Sequence, residues 1–179
     1  NVTATAVEAI TNSSVAQVKA LLLVEGSSGD KINLDGDFTV AINNTGTVDS
    51  ADLNTINTAT SGLVTATGID TINGTASAIT TLIGNEGTSG DKVALDTDFA
   101  MTVSSGTATV DQANTMAAFS TSGAITATIS NTDIAELDDL TTASTDQLTI
   151  TVASTSATAA QLKTVGDATG LNVTATAVE

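Results

Sequence analysis

Two short acidic segments carry the residues of this chain best suited to chemistry. In the first, Ser28–Phe38, stand Asp30, Asp35 and Asp37; in the second, Ser89–Phe99, Asp91, Asp96 and Asp98 hold the same places 61 residues later, and Glu25 is matched by Glu86. A hard cation such as Ca2+ takes about six to eight oxygen ligands from carboxylates and loop carbonyls, which a glycine-containing acidic loop can supply. The spacing therefore nominates these six aspartates as Ca2+ ligands. The same residues also read as turn formers, with Gly29-Asp30 and Asp35-Gly36 chosen for backbone geometry. Lys31 and Lys92 inside the segments favour the turn reading, and neither segment has the spacing of an EF-hand or of a calcium-binding nonapeptide repeat.

A second candidate is a set of threonines two positions apart: Thr3/Thr5, Thr65/Thr67, Thr126/Thr128 and Thr149/Thr151. On stacked strands they would form a grid of about 6.7 Å by about 4.8 Å, an arrangement that resembles the faces of ice-binding solenoids. Threonine is also a polar residue suited to any pleated surface, and Ala41 and Ala100 interrupt the ladder. Both readings stand.

Catalysis has little to draw on. Histidine and cysteine are absent, so the usual base, the thiol nucleophile and thiolate metal ligands are missing, and no phosphate-binding glycine loop occurs. Glu136, Asp138 and Asp139 could be drawn as an acid/base pair, but adjacent acids on a helix usually form its solvated face. The only aromatic residues are Phe38, Phe99 and Phe119, which leaves a carbohydrate-active enzyme without sugar platforms. The expectation is that the protein is not an enzyme.

Charge narrows the partners. Twenty acidic residues against four lysines give a formal charge of −16, which repels nucleic acid and anionic membrane surfaces. The 41% apolar content is too high for a solvated acidic tail, so the chain should fold with a self-repelling surface. The longest apolar run, Ala20–Val24, falls far short of the roughly 20 residues that span a bilayer. No nucleic acid and no membrane insertion are expected. Asn1 provides neither an initiator methionine nor a signal peptide, so an interior or processed piece is expected.

The elements that hold these residues repeat. NVTATAVE at Asn1–Glu8 returns letter for letter at Asn172–Glu179, a period of 171 residues. Within that block SGDKINLDGDF (Ser28–Phe38) returns as SGDKVALDTDF (Ser89–Phe99), and TVDSADLNTINTATSG (Thr47–Gly62) as TVDQANTMAAFSTSG (Thr109–Gly123). A shorter copy ends in SATAAQLKTVGDATG (Ser156–Gly170). The expected organisation is three units, 1–62, 63–123 and a shorter 124–171, with 172–179 opening the next block.

Each unit should hold two strand-plus-helix turns. Val2–Thr5, Phe38–Ile42, Val64–Thr67, Phe99–Val103, Ile125–Ile129 and Leu148–Val152 alternate apolar residues with Thr or Ala, the pattern of half-buried strands. Val15, Val18 and Leu22, like Ala76, Ile79 and Ile83, have helical spacing, and Ile134 and Leu137 follow the N-cap candidates Asn131 and Thr132. Weaker helical patterns follow Asp49 and Ser156, and Gly62, Gly123 and Gly170 stand where a C-terminal glycine closes a helix.

Aligning residues 3, 39, 65, 100, 126, 149 and 174 as equivalent positions gives a basic turn of 23 to 26 residues, within the range of strand-plus-helix repeats, and two longer turns of 36 and 35 that each carry an insertion holding the SGDK segment. The expected fold is α/β: a repeat solenoid of about six coils, with a parallel sheet on one side and short helices on the other. The central inward residues Ala4, Val40, Ala66, Met101, Ala127 and Ile150 would then alternate small and large. An all-β solenoid or an array of β-sandwiches is the alternative.

The phrases VTAT, SGDK-x-x-LD-x-DF and T-x-D-x-A…TSG resemble the long Ala/Thr/Asp-rich repeats of giant cell-surface proteins of marine cyanobacteria, of the motility- and surface-layer-associated type. The resemblance runs over essentially the whole chain. It implies a secreted, rod- or filament-like structural role assisted by calcium, with neighbouring copies of the same repeat as partners. An adhesin module or an ice-binding solenoid is the alternative.

Overall fold

A computed structural model describes residues 2–4, 7–26, 29 and 32–176, with the backbone alone at 2–4. In chain order the elements begin with β1 (Val2–Ala4), β2 (Ala9–Ser13), α1 (Val15–Leu23), β3 (Ile32–Leu34), β4 (Thr39–Ile42), β5 (Thr47–Asp49) and α2 (Ser50–Thr58). Then come β6 (Val64–Ala66), β7 (Thr71–Thr75), α3 (Ala76–Gly84), β8 (Val93–Leu95), β9 (Ala100–Ser105) and α4 (Val110–Phe119). The last are β10 (Ile125–Thr128), α5 (Ile134–Leu137), β11 (Gln147–Thr149), β12 (Thr151–Val152), α6 (Ala159–Asp167) and β13 (Thr174–Ala175). The chain is α/β with parallel sheets, and the six helices among the described residues set aside the all-β alternative.

Two compact units are present, one of residues 1–70 with 81–96 and the other of 71–80 with 97–179. In the first, β2, β4, β6 and β8 form a parallel sheet and β1 pairs with β3. Its core holds Phe38, Val40, Leu53, Ile56, Val64, Leu82 and Val93, each at most 2% exposed. In the second, β7, β9, β10 and β11 run parallel and β12 pairs with β13. There Ile72, Ile79, Met101, Met116, Ile125, Leu137, Leu148 and Ile150 are equally buried, and the rings of Phe99 and Phe119 pack with centroids 5.8 Å apart. Burying a side chain of this size is worth roughly 1.5–3 kcal/mol, so aliphatic residues carry the core almost unaided.

The helices start where local chemistry directs. Ser14, Thr109 and Thr158 cap α1, α4 and α6, and Gln17, Gln112 and Gln161 three positions on return a bond to each cap's own amide. This reciprocal box satisfies two backbone donors that a helix start leaves unpaired. Asp49 and Asp133 cap α2 and α5. Asn131, expected to cap α5, instead accepts from the amide of Val110 at 3.1 Å.

Strand is found at each of the six expected places, but Leu148–Val152 is divided at Ile150 into β11 and β12, which lie in different sheets, and Thr5 lies outside the described residues. Five more strands are present among the described residues: β2, β3, β5, β7 and β8. The acidic segments are therefore not bare insertions, since each leads into a strand, Ile32–Leu34 or Val93–Leu95. At β3 and β8 all three residues share one degree of burial, so no alternation marks them in the sequence.

Register differs as well. Thr65 pairs with Ala41 and Ala94, Thr126 with Thr102, Thr149 with Thr128, and Thr174 with Thr151. Four of these partners lie two positions beyond the expected ones. A slide of two leaves the same residues facing inward, so the hydrophobic pattern is blind to it. The expected small-large stack is corrected too: Val40 faces Val64 and Val64 faces Val93, Met101 lies between Ile72 and Ile125, and the alanines 66 and 127 face Leu95 and Leu148.

Candidate functional site

The two acidic loops share one backbone closure. Gly26 and Gly87 donate to the carbonyls of Ile32 and Val93 at 2.8 and 3.2 Å, and the amides of Ile32 and Val93 donate back to Val24 and Asn85 at 2.9 and 3.0 Å. Gly29 and Gly90 hold φ of 70° and 67°, a left-handed conformation that strains any residue with a Cβ. Asp35 accepts from the amide of Gly36 at 2.8 Å, as a turn aspartate does.

Of the six proposed Ca2+ ligands, Asp30 lies outside the described residues. Asp35, Asp37, Asp91, Asp96 and Asp98 are exposed. Among the described residues no three carboxylates converge as a metal would require.

The threonines form short runs rather than one ladder. Thr128 lies beside Thr149 and Thr102 beside Thr126, but the other neighbour of Thr126 is Gln147, and Thr65 lies between two alanines. A groove of about 430 Å³ separates α1 from α2, lined by Val15, Ala20, Leu23, Asn44 and Val48, with an ion pair of Lys19 and Asp52 across it. Among the described residues no helix is long and apolar enough to cross a membrane.

What recurs instead is a hydroxyl at the turn after α2, α4 and α6. Thr60 donates to the carbonyl of Phe38 and accepts from the amide of Gly62 at 3.0 Å. Ser120 bonds the carbonyl of Phe99 at 3.3 Å and accepts from Gly123 at 2.9 Å. Thr169 bonds the carbonyl of Leu148 at 2.8 Å and accepts from Leu171 at 3.1 Å.

Each hydroxyl ties a turn to the strand segment 21 or 22 residues before it. The glycines beside them serve this approach rather than helix closure. A Cβ on Gly62 or Gly123 would press into the backbone of Phe38 or Phe99, and one on Gly170 would stand 2.7 Å from the carbonyl oxygen of Ser144.

A second set of bonds serves the helix starts. The first helical amides of α1, α4 and α5, at Val15, Val110 and Ile134, donate to the side chains of Asn44, Asn131 and Ser154 at 2.8, 3.1 and 2.8 Å. These partners lie 20 to 29 residues further on, and each satisfies a donor that would otherwise stay unpaired. Asp146, only 5% exposed, does the same for β10 by accepting from Ile125 at 2.8 Å.

The sequence reading missed Asp146, Thr60, Ser120 and Thr169. For the three hydroxyls the signal was a Ser or Thr one to three places before the glycines at 62, 123 and 170; Asp146 carried no such signal. No protein-family model matches the chain, and neither a curated protein nor a solved structure shows significant similarity to it.

Proposed function

We propose that this chain is a structural repeat region of a large extracellular cell-surface, filament or adhesin-like protein, folded as a solenoid and without catalytic activity. The observation that carries the reading is the hydroxyl tie: once in each repeat unit, Thr60, Ser120 and Thr169 bond the turn after a helix to backbone 21 or 22 residues earlier. A polar tie made once per unit, between backbone segments about one strand-plus-helix turn apart, is a contact between near neighbours in the chain, the kind on which an extendable array is built. The dispersed acidic surface suits such an array, because self-repulsion limits clumping of exported material.

Two measurements test the proposal. The full gene should carry the 171-residue block in many copies, and antibodies raised to this chain should label intact cells and filaments seen by electron microscopy. A single copy of the block, with label found only inside lysed cells, would overturn it.

A further inference from the structure

The octapeptide NVTATAVE is present twice, and the two copies use different edges. Near the start, β1 pairs with the strand that follows it: Val2 with Ile32, Thr3 with Asn33 and Ala4 with Leu34. Near the end, the identical residues in β13 pair with the strand that precedes them: Thr174 with Thr151 and Ala175 with Val152. Thr174 corresponds to Thr3 and Ala175 to Ala4, so one short sequence is seen with each of its neighbours in turn.

The backbone bonds make the two pairings compatible: Ile32 turns its amide and carbonyl to Val24 and Gly26, so Asn33 turns its own to the opposite edge, toward β1, where the amide-bearing edge of Val2 and Ala4 meets it. Thr174 and Thr176 donate their amides to Ile150 and Val152, both at 3.0 Å. Successive amides of an extended strand point to opposite edges, so those of Val173 and Ala175 face away from β12. Their counterparts in the first copy are Val2 and Ala4.

A second observation locates the same two ends. The large apolar side chains left exposed among the described residues are Leu23 at 78%, Val24 at 41% and Leu171 at 40%. The first two end the first helix, α1, and the third follows the last helix, α6. A stacked neighbour at each end would cover them, as the caps of repeat arrays do.

We infer that in a chain of consecutive 171-residue blocks one octapeptide is both the last strand of a block and the first strand of the next, bonded on both edges at once. Thr151 of one block and Asn33 of the next align on its central threonine, and Val152 and Leu34 on the following alanine. The partner is thus a second copy of this block, an inference that rests on the repeat-array reading and adds its joint. No unpaired strand edge remains at the seam to recruit other chains.

Hydrogen exchange on two proteins tests this. In the first, residues 1–171 run directly into 1–179, so that the blocks share one octapeptide. In the second, two complete chains are joined by a flexible Gly/Ser linker. The valine and alanine amides of the shared octapeptide, at Val2 and Ala4 of the second block, should exchange at least about tenfold more slowly than Val173 and Ala175 of the first chain in the linked protein. The threonine amides should be protected in both. Equal rates for the valine and alanine amides would overturn the shared strand. That result would leave the cell-surface role standing, since blocks could also follow one another as independent beads.

Discussion

Asp146 accepts a hydrogen bond from the amide of Ile125, 21 residues before it, at 2.8 Å, while its second oxygen takes the amide of Ala143 at 2.9 Å. A nearly buried carboxylate is thereby committed to the backbone of two separate segments. Asp146→Ala leaves both amides without this partner, each costing about 1–3 kcal/mol. Urea unfolding should show a loss of roughly 2–4 kcal/mol for Asp146→Ala, with Asp146→Asn between it and wild type because its amide group can replace only one of the two bonds. An unchanged midpoint for Asp146→Ala would sink this account.

Thr169 makes the corresponding point for the hydroxyls. Thr169→Val keeps the shape but removes the group that meets Leu148 and Leu171. The expected loss is about 1–3 kcal/mol, with Thr169→Ser recovering most of it. Thr126→Val, on an exposed strand position, should stay within about 0.5 kcal/mol. Equal effects at the two sites would mean that the tie contributes nothing.

Glycine substitutions separate close approach from mere flexibility. At Gly123 an added Cβ meets the backbone of Phe99, which cannot swing aside, whereas at Gly46 nothing lies within 4 Å. Gly123→Ala should cost at least about 2 kcal/mol, and Gly46→Ala should be neutral or stabilise by about 0.4–1 kcal/mol through the unfolded chain. Thermal melts of the two variants side by side read the difference.

With the acidic loops closed by their own backbone bonds and Asp35 already engaged by Gly36, the melting temperature is expected to be the same in millimolar calcium and in chelator. A calcium-dependent rise that disappears in Asp35→Ala plus Asp96→Ala would instead assign the loops as cation sites.

Leu53 and Leu23 give a packing contrast. Leu53 is fully buried in α2 and Leu23 is 78% exposed on α1. Leu53→Ala should lose about 2–5 kcal/mol, while Leu23→Ala should be nearly silent, within about 0.5 kcal/mol, in the single chain. A large loss at Leu23 would contradict its exposure.

Much of the fold was legible because its signals are local. The capping glutamines at 17, 112 and 161 act within a single turn of helix, and alternation in Ile125–Thr128 marks the inward face without reference to any partner strand. Val93–Leu95, buried at all three positions, and Ile32–Leu34, half-buried at all three, offer no such signal. They form because a parallel neighbour supplies their bonds.

The candidate site was less legible. Matched aspartates were visible at once, yet their spacing could not say whether the carboxylates converge. Thr60 and Asp146 looked like ordinary loop residues until the fold brought Phe38 and Ile125 beside them.

By itself the sequence determined the 171-residue period, from letter-for-letter recurrence, and the apolar faces, from residues close together in the chain. Tertiary structure alone decided the register, because a slide of two preserves every inward face. It also gave Gly123 its steric role and Thr60 its tie, since each depends on backbone brought back from about twenty residues away.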